Sequence, residues 1–376
     1  MKLWPCLGIF GLRQVGKTTL LKKSLPEIPL ISLDSEVHLS AAQKSAKTFL
    51  ARHPCPLVID EVQKAPGLFD EIKLQVDHKR VPGQFILTGS SSFQSKDQSR
   101  ESLTGRLGVL YLYPLTLAEA HQESFSSAHA QTLHSLSSRF SIQQFTQSLE
   151  LGGLPVPMFL RSADERKSYW ESWAETTVYR DLQRVYGSNY DPEIAFQILY
   201  KIGKILTDGE LVTIRHFSMD KRKVKKYLEA MERIFVLKRL LCHEAGQGED
   251  AYFFGDTGLA SYFMKETLSE GAFLSLVRHK ILFEILAGLE YSGNRQQLAY
   301  FKSKAGTPVE FVWNDIPIRV MTESKIGSSA FTYHSRPLLG AIQKLKSKSG
   351  ILVAPVDEIV AEKKNPVVIV PWGHWS

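Results

Sequence analysis

Gly11-Leu12-Arg13-Gln14-Val15-Gly16-Lys17-Thr18 is the stretch whose reading decides the fold of the N-terminal part of this chain. Its Gly-x-x-x-x-Gly-Lys-Thr pattern is that of a phosphate-binding loop. The apolar run Leu7-Gly8-Ile9-Phe10 before it suits a buried strand, and Thr18-Thr19-Leu20-Leu21-Lys22-Lys23 after it suits the first turns of a helix. In that order the glycines let the amides of residues 13–17 turn inward around an anion, and the helix N-terminus adds partial positive charge. The expected phosphate cradle is Gly11, Arg13, Gln14, Val15, Gly16, Lys17, Thr18 and Thr19. Lys17 would reach the outer phosphates and act catalytically by neutralising their charge, while the Thr18 hydroxyl would hold magnesium.

Further apolar runs extend this plan. Pro56-Leu57-Val58-Ile59-Asp60-Glu61 reads as a buried parallel-type strand ending in two carboxylates, a costly ending unless the acids have a task. Beside a phosphate loop, Asp60 suits the magnesium shell and Glu61 suits polarisation of an attacking water. Gln84-Phe85-Ile86-Leu87-Thr88 leads into Gly89-Ser90-Ser91-Ser92, which would put Thr88 or Ser90 beside the terminal phosphate; a plain Ser-rich turn is the alternative. Residues 28–34 and 107–112 supply two more strands. The expected fold class is α/β, a doubly wound parallel sheet with its reactive residues at C-terminal strand ends.

Four groups of residues then carry a resemblance. They are Gly11 to Leu20; Leu57 to Glu61 with Gln63-Lys64-Ala65-Pro66 and Leu68-Phe69-Asp70; Leu87-Thr88-Gly89-Ser90-Ser91; and Leu103-Thr104-Gly105-Arg106 followed by Tyr113-Pro114-Leu115-Thr116-Leu117-Ala118-Glu119. Together they resemble a large prokaryotic family of AAA-type ATP-binding proteins that join a P-loop ATPase to a C-terminal domain of unknown function. The resemblance implies ATP as the nucleotide, and the chain has no convincing Asn-Lys-x-Asp element for reading guanine. It also implies that Arg106 is a phosphate-facing or intersubunit arginine, with Arg100 competing for the role. Oligomerisation is compatible with it, although no ring is required.

The remainder is expected to form three pieces after an ATPase domain at 1–118: a helical bridge at 119–195, a winged helix-turn-helix at 196–249 and a restriction-endonuclease-like domain at 250–376. His121, His129 and His134 lack metal-ligand spacing and are expected to face solvent. Gly152-Gly153-Leu154-Pro155 and Tyr179-Arg180-Asp181-Leu182 resemble family signatures; Trp170, Trp173 and Val178 read as core, and Arg180 and Asp181 as a tie between domains. Asp220 can cap a helix whose stripe is Val224, Leu228, Met231 and Phe235, followed by a wing strand at 234–241. Residues 201–246 hold 11 Lys or Arg against 6 Asp or Glu. Lys221, Arg222 and Lys225 are the candidate contacts to duplex DNA, with a solvated face or a protein-docking surface as the alternative.

Tyr252 to Ala260 and residues 271–286 also resemble family segments, and related proteins resemble restriction endonucleases here. That chemistry needs an acid on one strand and Glu-x-Lys on the next to hold magnesium at a phosphodiester. This chain has Glu310 where relatives carry Asp, and Arg319-Val320-Met321 where Glu-Val-Lys would stand. Ser324-Lys325 restores a lysine only after a shift along the strand. The implied domain is catalytically degenerate, serving binding or regulation.

At 376 residues the chain has room for two or three cores. A balance of 46 basic to 39 acidic residues, net +7, permits nucleic acid or another anionic partner without selecting one. Cys6, Cys55 and Cys242 are too few and too scattered for a disulfide framework, which points to a reducing, cytoplasmic setting. No run approaches the roughly 18 to 20 apolar residues of a membrane span, so no integral membrane association is expected, and the early apolar segment runs straight into the loop, unlike a cleavable leader. The functional expectation is magnesium-dependent ATP binding and hydrolysis coupled to conformational change of the C-terminal domains. Its rival is a slow nucleotide-gated switch for DNA or protein with little turnover.

Overall fold

Alternation along two short strands shows how the first sheet is buried. Leu57, Ile59, Phe85 and Leu87 point into one apolar cluster with Phe49, Leu68 and Ile72. Val58 and Ile86, one residue out of step, point into another with Ile9 and Leu21. A strand buried on both faces reads as a continuous apolar run, which is why these segments show no polar alternation. The computed structural model describes residues 3–92, 103–122, 140–264, 269–294, 296–304, 306–323, 328–361 and 365–375. Arg100, His129, His134, Ser324 and Lys325 lie outside the described residues.

The chain divides into two compact units, Met1–Tyr113 with Arg233–Phe235, and Pro114–Glu232 with Val236–Ser376. In the first, strands β1 (Cys6–Phe10), β2 (Leu30–Ser32), β3 (Leu57–Asp60), β4 (Phe85–Gly89) and β5 (Leu107–Tyr111) form a sheet in the order β2-β3-β4-β1-β5. Every pairing is parallel. Helices α1 (Lys17–Ser24), α2 (Glu36–Lys44), α3 (Ala46–Arg52) and α4 (Gly67–His78) connect and cover it. β4 is inserted between β1 and β3, so its end falls between the phosphate loop and the acid-bearing strand.

The second unit is built on an eight-stranded sheet ordered β12-β13-β11-β10-β9-β8-β6-β7. Its strands are β6 (Leu237–Cys242), β7 (Ala251–Phe254), β8 (Ala299–Phe301), β9 (Val309–Trp313), β10 (Ile316–Val320), β11 (Gly350–Ala354), β12 (Val360–Ala361) and β13 (Val367–Pro371). The first unit runs to Tyr113, close to the expected division at 118, and the residues on either side of 195 and 249, apart from Arg233–Phe235, fall in one compact unit. The physical reason is β6, which pairs antiparallel with β7 through residues 237–240 and parallel with β8 through Leu241 and Cys242. One strand thus serves both of the pieces that were expected to separate after residue 249.

Residues of the expected bridge also bury their apolar faces in this unit. Phe145 on the helix Ile142–Leu151 packs in a tilted pair with Trp372, ring centroids 5.5 Å apart, and the Gly153 amide donates to Asp256 at 2.7 Å. Trp170, Trp173 and Val178 are core, as their spacing suggests. The helix Glu270–Tyr291 is buried almost all round from Ala272 to Leu289, including Arg278, His279, Lys280 and Glu284. A helix without a polar face belongs at the centre of a domain, provided its polar groups are paired. Here Ser275 donates to the Leu206 carbonyl, Lys280 pairs with Glu284 at 2.9 Å, and Glu284 accepts from the Leu117 amide at 2.8 Å. No helix among the described residues is long and apolar enough to cross a membrane.

Candidate functional site: the polar end of the parallel sheet

The loop leaves β1 where β5 also ends. At Gly11 an added Cβ would run into the carbonyl of Leu112, whose amide donates to Phe10 at 2.7 Å, so only glycine fits between the two strand ends. Gln14 sits at φ 63° and Gly16 at φ 107°, left-handed positions that fold the segment into a compact turn and begin α1. Val15 is core, and its amide donates to Leu12 at 3.2 Å within the turn. Thr19 is exposed as the third residue of the helix, and Arg13 is half-buried.

Lys17 is 5% exposed and folds back over the loop, its Nζ donating to the carbonyls of Gly11 and Leu12, each at 2.9 Å. Burial holds this ammonium below the usual lysine range, while the nearby carboxylates of Glu61 and Asp60 pull the other way. An ammonium held by two carbonyls in a desolvated loop has more to gain from phosphate oxygens than from its present partners.

Asp60 ends β3 and is nearly buried. Thr18 Oγ1 donates to its Oδ2 at 3.0 Å, and Thr88 Oγ1 at the end of β4 donates to its Oδ1. Three residues from three segments therefore converge: the first turn of α1, β3 and β4. Magnesium takes hard oxygens and commonly uses one or two carboxylates, with phosphates and water completing its shell. The Thr18 hydroxyl and the Asp60 carboxylate are such a pair, so the residues fit that ion. Among the described residues no group of three or more His, Cys, Asp or Glu comes together to hold a metal.

The next residue, Glu61, is at φ 57°, a left-handed turn that swings it off the strand axis. Its carboxylate accepts from the Gln63 amide and from Ser90 Oγ, the latter at 3.1 Å. Gln63 Oε1 is buried and has no hydrogen-bond partner among the described residues. An unsatisfied acceptor beside a carboxylate marks a place where one water would gain a bond. The residues expected to act together, Lys17, Thr18, Asp60, Glu61, Thr88 and Ser90, are thus gathered at one sheet end.

Arg106 is not among them. β5 runs parallel to β1 with Leu107 opposite Cys6 and Tyr111 opposite Phe10, so Arg106 lies at the N-terminal edge of the sheet. The four residue steps between 107 and 111 put roughly 13 Å of strand between it and the loop. Its guanidinium is bidentate to Asp77, with Nε to Oδ1 at 2.5 Å and Nη2 to Oδ2 at 2.8 Å. The expectation that Arg106 faces the phosphates of its own chain is corrected by this parallel register.

In the second unit, Glu310 on β9 is fully buried, accepting from Arg278 at 2.7 Å and from the Val320 amide at 3.1 Å. Arg319 is buried and donates to the Pro308 carbonyl at 2.8 Å, and Met321 is core. Arg180 and Asp181, expected to bridge domains, bond to each other at 2.9 Å. His121 is exposed and stacks on Phe140 at 5.4 Å. Lys221, Arg222 and Lys225 are exposed at the start of the helix Lys221–Arg233, whose first turn Asp220 caps by accepting from the Lys223 amide at 2.9 Å.

Sequence reasoning had no role for Gln63 or Arg278. Gln63 stands only two residues beyond Glu61, and that closeness was the available signal. Arg278 gave none, because its partner Glu310 is 32 residues away.

Residues 4–121 match a family described as an AAA domain. Uncharacterised proteins of Mycobacterium bovis and Mycobacterium tuberculosis are each 24% identical over 265 residues, 68% of this chain. The chain spans about half the length of these curated relatives, 55% in each case. Among solved structures, a signal transduction ATPase with numerous domains and a tetratricopeptide repeat sensor from Pyrococcus horikoshii aligns over 77% of this chain and 44% of its own, at 11% identity and a TM-score of 0.21. Cdc6p of Pyrobaculum aerophilum aligns over 70% and 89%, at 13% identity and a TM-score of 0.24. The Aeropyrum pernix Orc1 protein, solved in complex with DNA, aligns over 70% and 87%, at 11% identity and 0.25. Such scores describe distant overall paths.

Proposed function

We propose that this chain binds ATP with magnesium and hydrolyses it, and that the nucleotide cycle drives conformational change in the second unit. The observation that carries the reading is the convergence of Thr18 and Thr88 on Asp60, beside a buried Lys17 in a phosphate-binding loop. Loop amides and Lys17 bind the phosphates, with Lys17 exchanging the carbonyls of Gly11 and Leu12 for phosphate oxygens. Thr18 and Asp60 would hold magnesium, which when bound supplies charge neutralisation on the phosphates. Glu61 orients the attacking water and takes its proton, and Ser90 and Gln63 position that carboxylate. The AAA-domain match over this module supports the same assignment.

A second reading, a slow nucleotide-gated switch, is favoured by one specific feature. Glu61 is already occupied by Gln63 and Ser90, and a base that must first be released turns over slowly. Steady-state phosphate release by the wild type and Lys17→Ala, with and without duplex DNA, separates the readings. The ATPase reading expects release that Lys17→Ala abolishes; equal rates in both proteins overturn it. Tight ATP binding without release above background supports the switch.

For the second unit we propose a winged helix and an endonuclease-like domain without nuclease chemistry. Supporting the first are the helix Pro192–Thr207, the short turn Ile214–His216, the helix Lys221–Arg233, the antiparallel β6 and β7, and a bridge between Val212 and Tyr252. Supporting the second is the run of antiparallel β8, β9 and β10, followed by the helix Ser328–Leu345 and the parallel β11. Duplex DNA is the proposed partner of Lys221, Arg222 and Lys225. Neutralising all three is expected to weaken duplex binding and flatten its salt dependence; an unchanged salt slope counts against that contact.

A further inference from the structure

The second unit holds an open groove that neither the nucleotide site nor the basic helix at residue 221 accounts for. One wall is Phe301 of β8 with Ser303 and Thr307 in the turn beyond it; the other is a face of the helix Ser328–Leu345. The cavity volume is about 900 Å³, at the upper end of the range for small-molecule and cofactor sites. Tyr333, Arg336, Gly340 and Lys344 recur at three- and four-residue steps along that helix face.

Charge fixes the class of ligand. The charged residues that line the groove are Arg336 and Lys344, both basic; the flanking sequence adds Lys302, Lys304, Lys346 and Lys348, and neither residues 299–308 nor residues 328–348 include Asp or Glu. Arg336 and Lys344 are exposed and make no ion pair among the described residues, unlike Arg106, Arg180 and Arg278. The neighbouring acid Glu323 is engaged by His334 at 2.8 Å.

The shape narrows it further. A Cβ at Gly340 would meet nothing within 4 Å, so no packing requires glycine in this helix interior, where it is unfavourable. Its effect is to leave the helix wall at backbone level. Pro337 has no N–H to give the carbonyl of Tyr333, which loses its helical donor at the same place. Tyr333 is 67% exposed, its ring meeting His334 in a T-shaped contact at 5.1 Å. Arg336 and Lys344 are eight positions apart, roughly 12 Å along the helix. A stacked strand rising about 3.4 Å per nucleotide presents about three phosphates over that span.

We propose that this groove binds single-stranded nucleic acid, with Arg336 and Lys344 on backbone phosphates, the hydroxyls of Ser303 and Thr307 beside them, and Tyr333 against a base face. A duplex buries its base faces in the stack, whereas an unpaired strand offers them to an exposed aromatic ring. This site is separate from the proposed duplex contact at Lys221, Arg222 and Lys225, and its occupancy does not depend on ATP hydrolysis.

The test is fluorescence anisotropy of a labelled 20-mer of oligothymidylate, and of a duplex of equal length, on the full chain at several salt concentrations without nucleotide. The variants are Arg336→Gln with Lys344→Gln, Tyr333→Ala, and Gly340→Gln, which fills the groove without changing charge. Circular dichroism of each should match the wild type, since all these positions are exposed. The 20-mer is expected to bind more tightly than the duplex. The double variant should lose at least tenfold in affinity and lower the slope of log K against log salt by about 1.4. Tyr333→Ala and Gly340→Gln should each lose several-fold with the slope unchanged, and Lys17→Ala should bind like the wild type, which separates this site from the ATPase reading. Wild-type affinity and slope in the double variant would overturn the proposal. So would preference for the duplex, or competition by polyglutamate as effective as unlabelled 20-mer.

Discussion

Asp60 and Glu310 are both carboxylates on buried strands, one in each unit, and their partners differ in kind. Asp60 stands at the C-terminal end of β3 and is held by two neutral hydroxyls, Thr18 and Thr88. Glu310 stands within β9 at 0% exposure and is held by the Arg278 guanidinium and the Val320 amide. Hydroxyls can turn their lone pairs to a cation or yield to water at little cost, so the first acid can exchange partners. A guanidinium and carboxylate out of water are each the other's counter-charge, and separating them exposes two uncompensated ions. The same residue chemistry is thus available for reaction at one sheet end and committed to structure in the other sheet.

The strongest way to break this comparison is to remove the committed acid. Glu310→Ala leaves Arg278 buried without its counter-charge and should destabilise the second unit by about 3 to 5 kcal/mol. Urea unfolding followed by tryptophan emission reports it, since Trp170, Trp173, Trp313, Trp372 and Trp375 all belong to that unit. An unchanged midpoint would remove the distinction. The matching change at the exchangeable acid, Asp60→Asn, should leave stability nearly unaltered and cut magnesium-dependent phosphate release by about a hundredfold, a loss in the range known for electrostatic groups at reacting centres.

Next comes acid. His279 is buried, with its Nδ1 at 2.7 Å from the Ser275 carbonyl and its Nε2 accepting from the Phe254 amide at 3.1 Å, an arrangement that requires the neutral ring. Burial lowers its pKa from 6.5 to about 4. The folded value lies below the unfolded one, so its stabilising contribution is fully present above pH 6.5 and is lost as pH falls toward 4. At pH 5 the loss is roughly 2 kcal/mol. Urea midpoints at pH 7.5 and 5 should differ in that direction, and His279→Gln should flatten the difference. The smallest effect is expected at Arg106, which is bound to Asp77 far from the loop. Arg106→Ala should leave phosphate release within about twofold at dilute protein, and a hundredfold loss would return it to the reacting centre.

Much of the first sheet was legible because its information is local. The phosphate loop is written in glycines, a lysine and a threonine within eight positions, and strands buried on both faces are apolar throughout. Arg106 misled because a motif beside a strand does not say which end of the sheet it occupies, and the parallel register with β1 settles that. Gln63 was hidden by the left-handed turn at Glu61, a conformation that sequence does not announce for a non-glycine residue. What ties the second unit together is nonlocal and was not legible. Lys280 and Glu284 look like a surface pair at helical spacing, yet they are buried, and Glu284 accepts from Leu117, 167 residues away.

The central claim is that the acids at the end of β3 divide binding from chemistry, and single-turnover hydrolysis by Glu61→Gln tests it most directly. With magnesium, ATP and excess enzyme, the variant should bind ATP as the wild type does and cleave it at least a hundredfold more slowly. Cleavage at the wild-type rate with ATP fully bound would contradict the account.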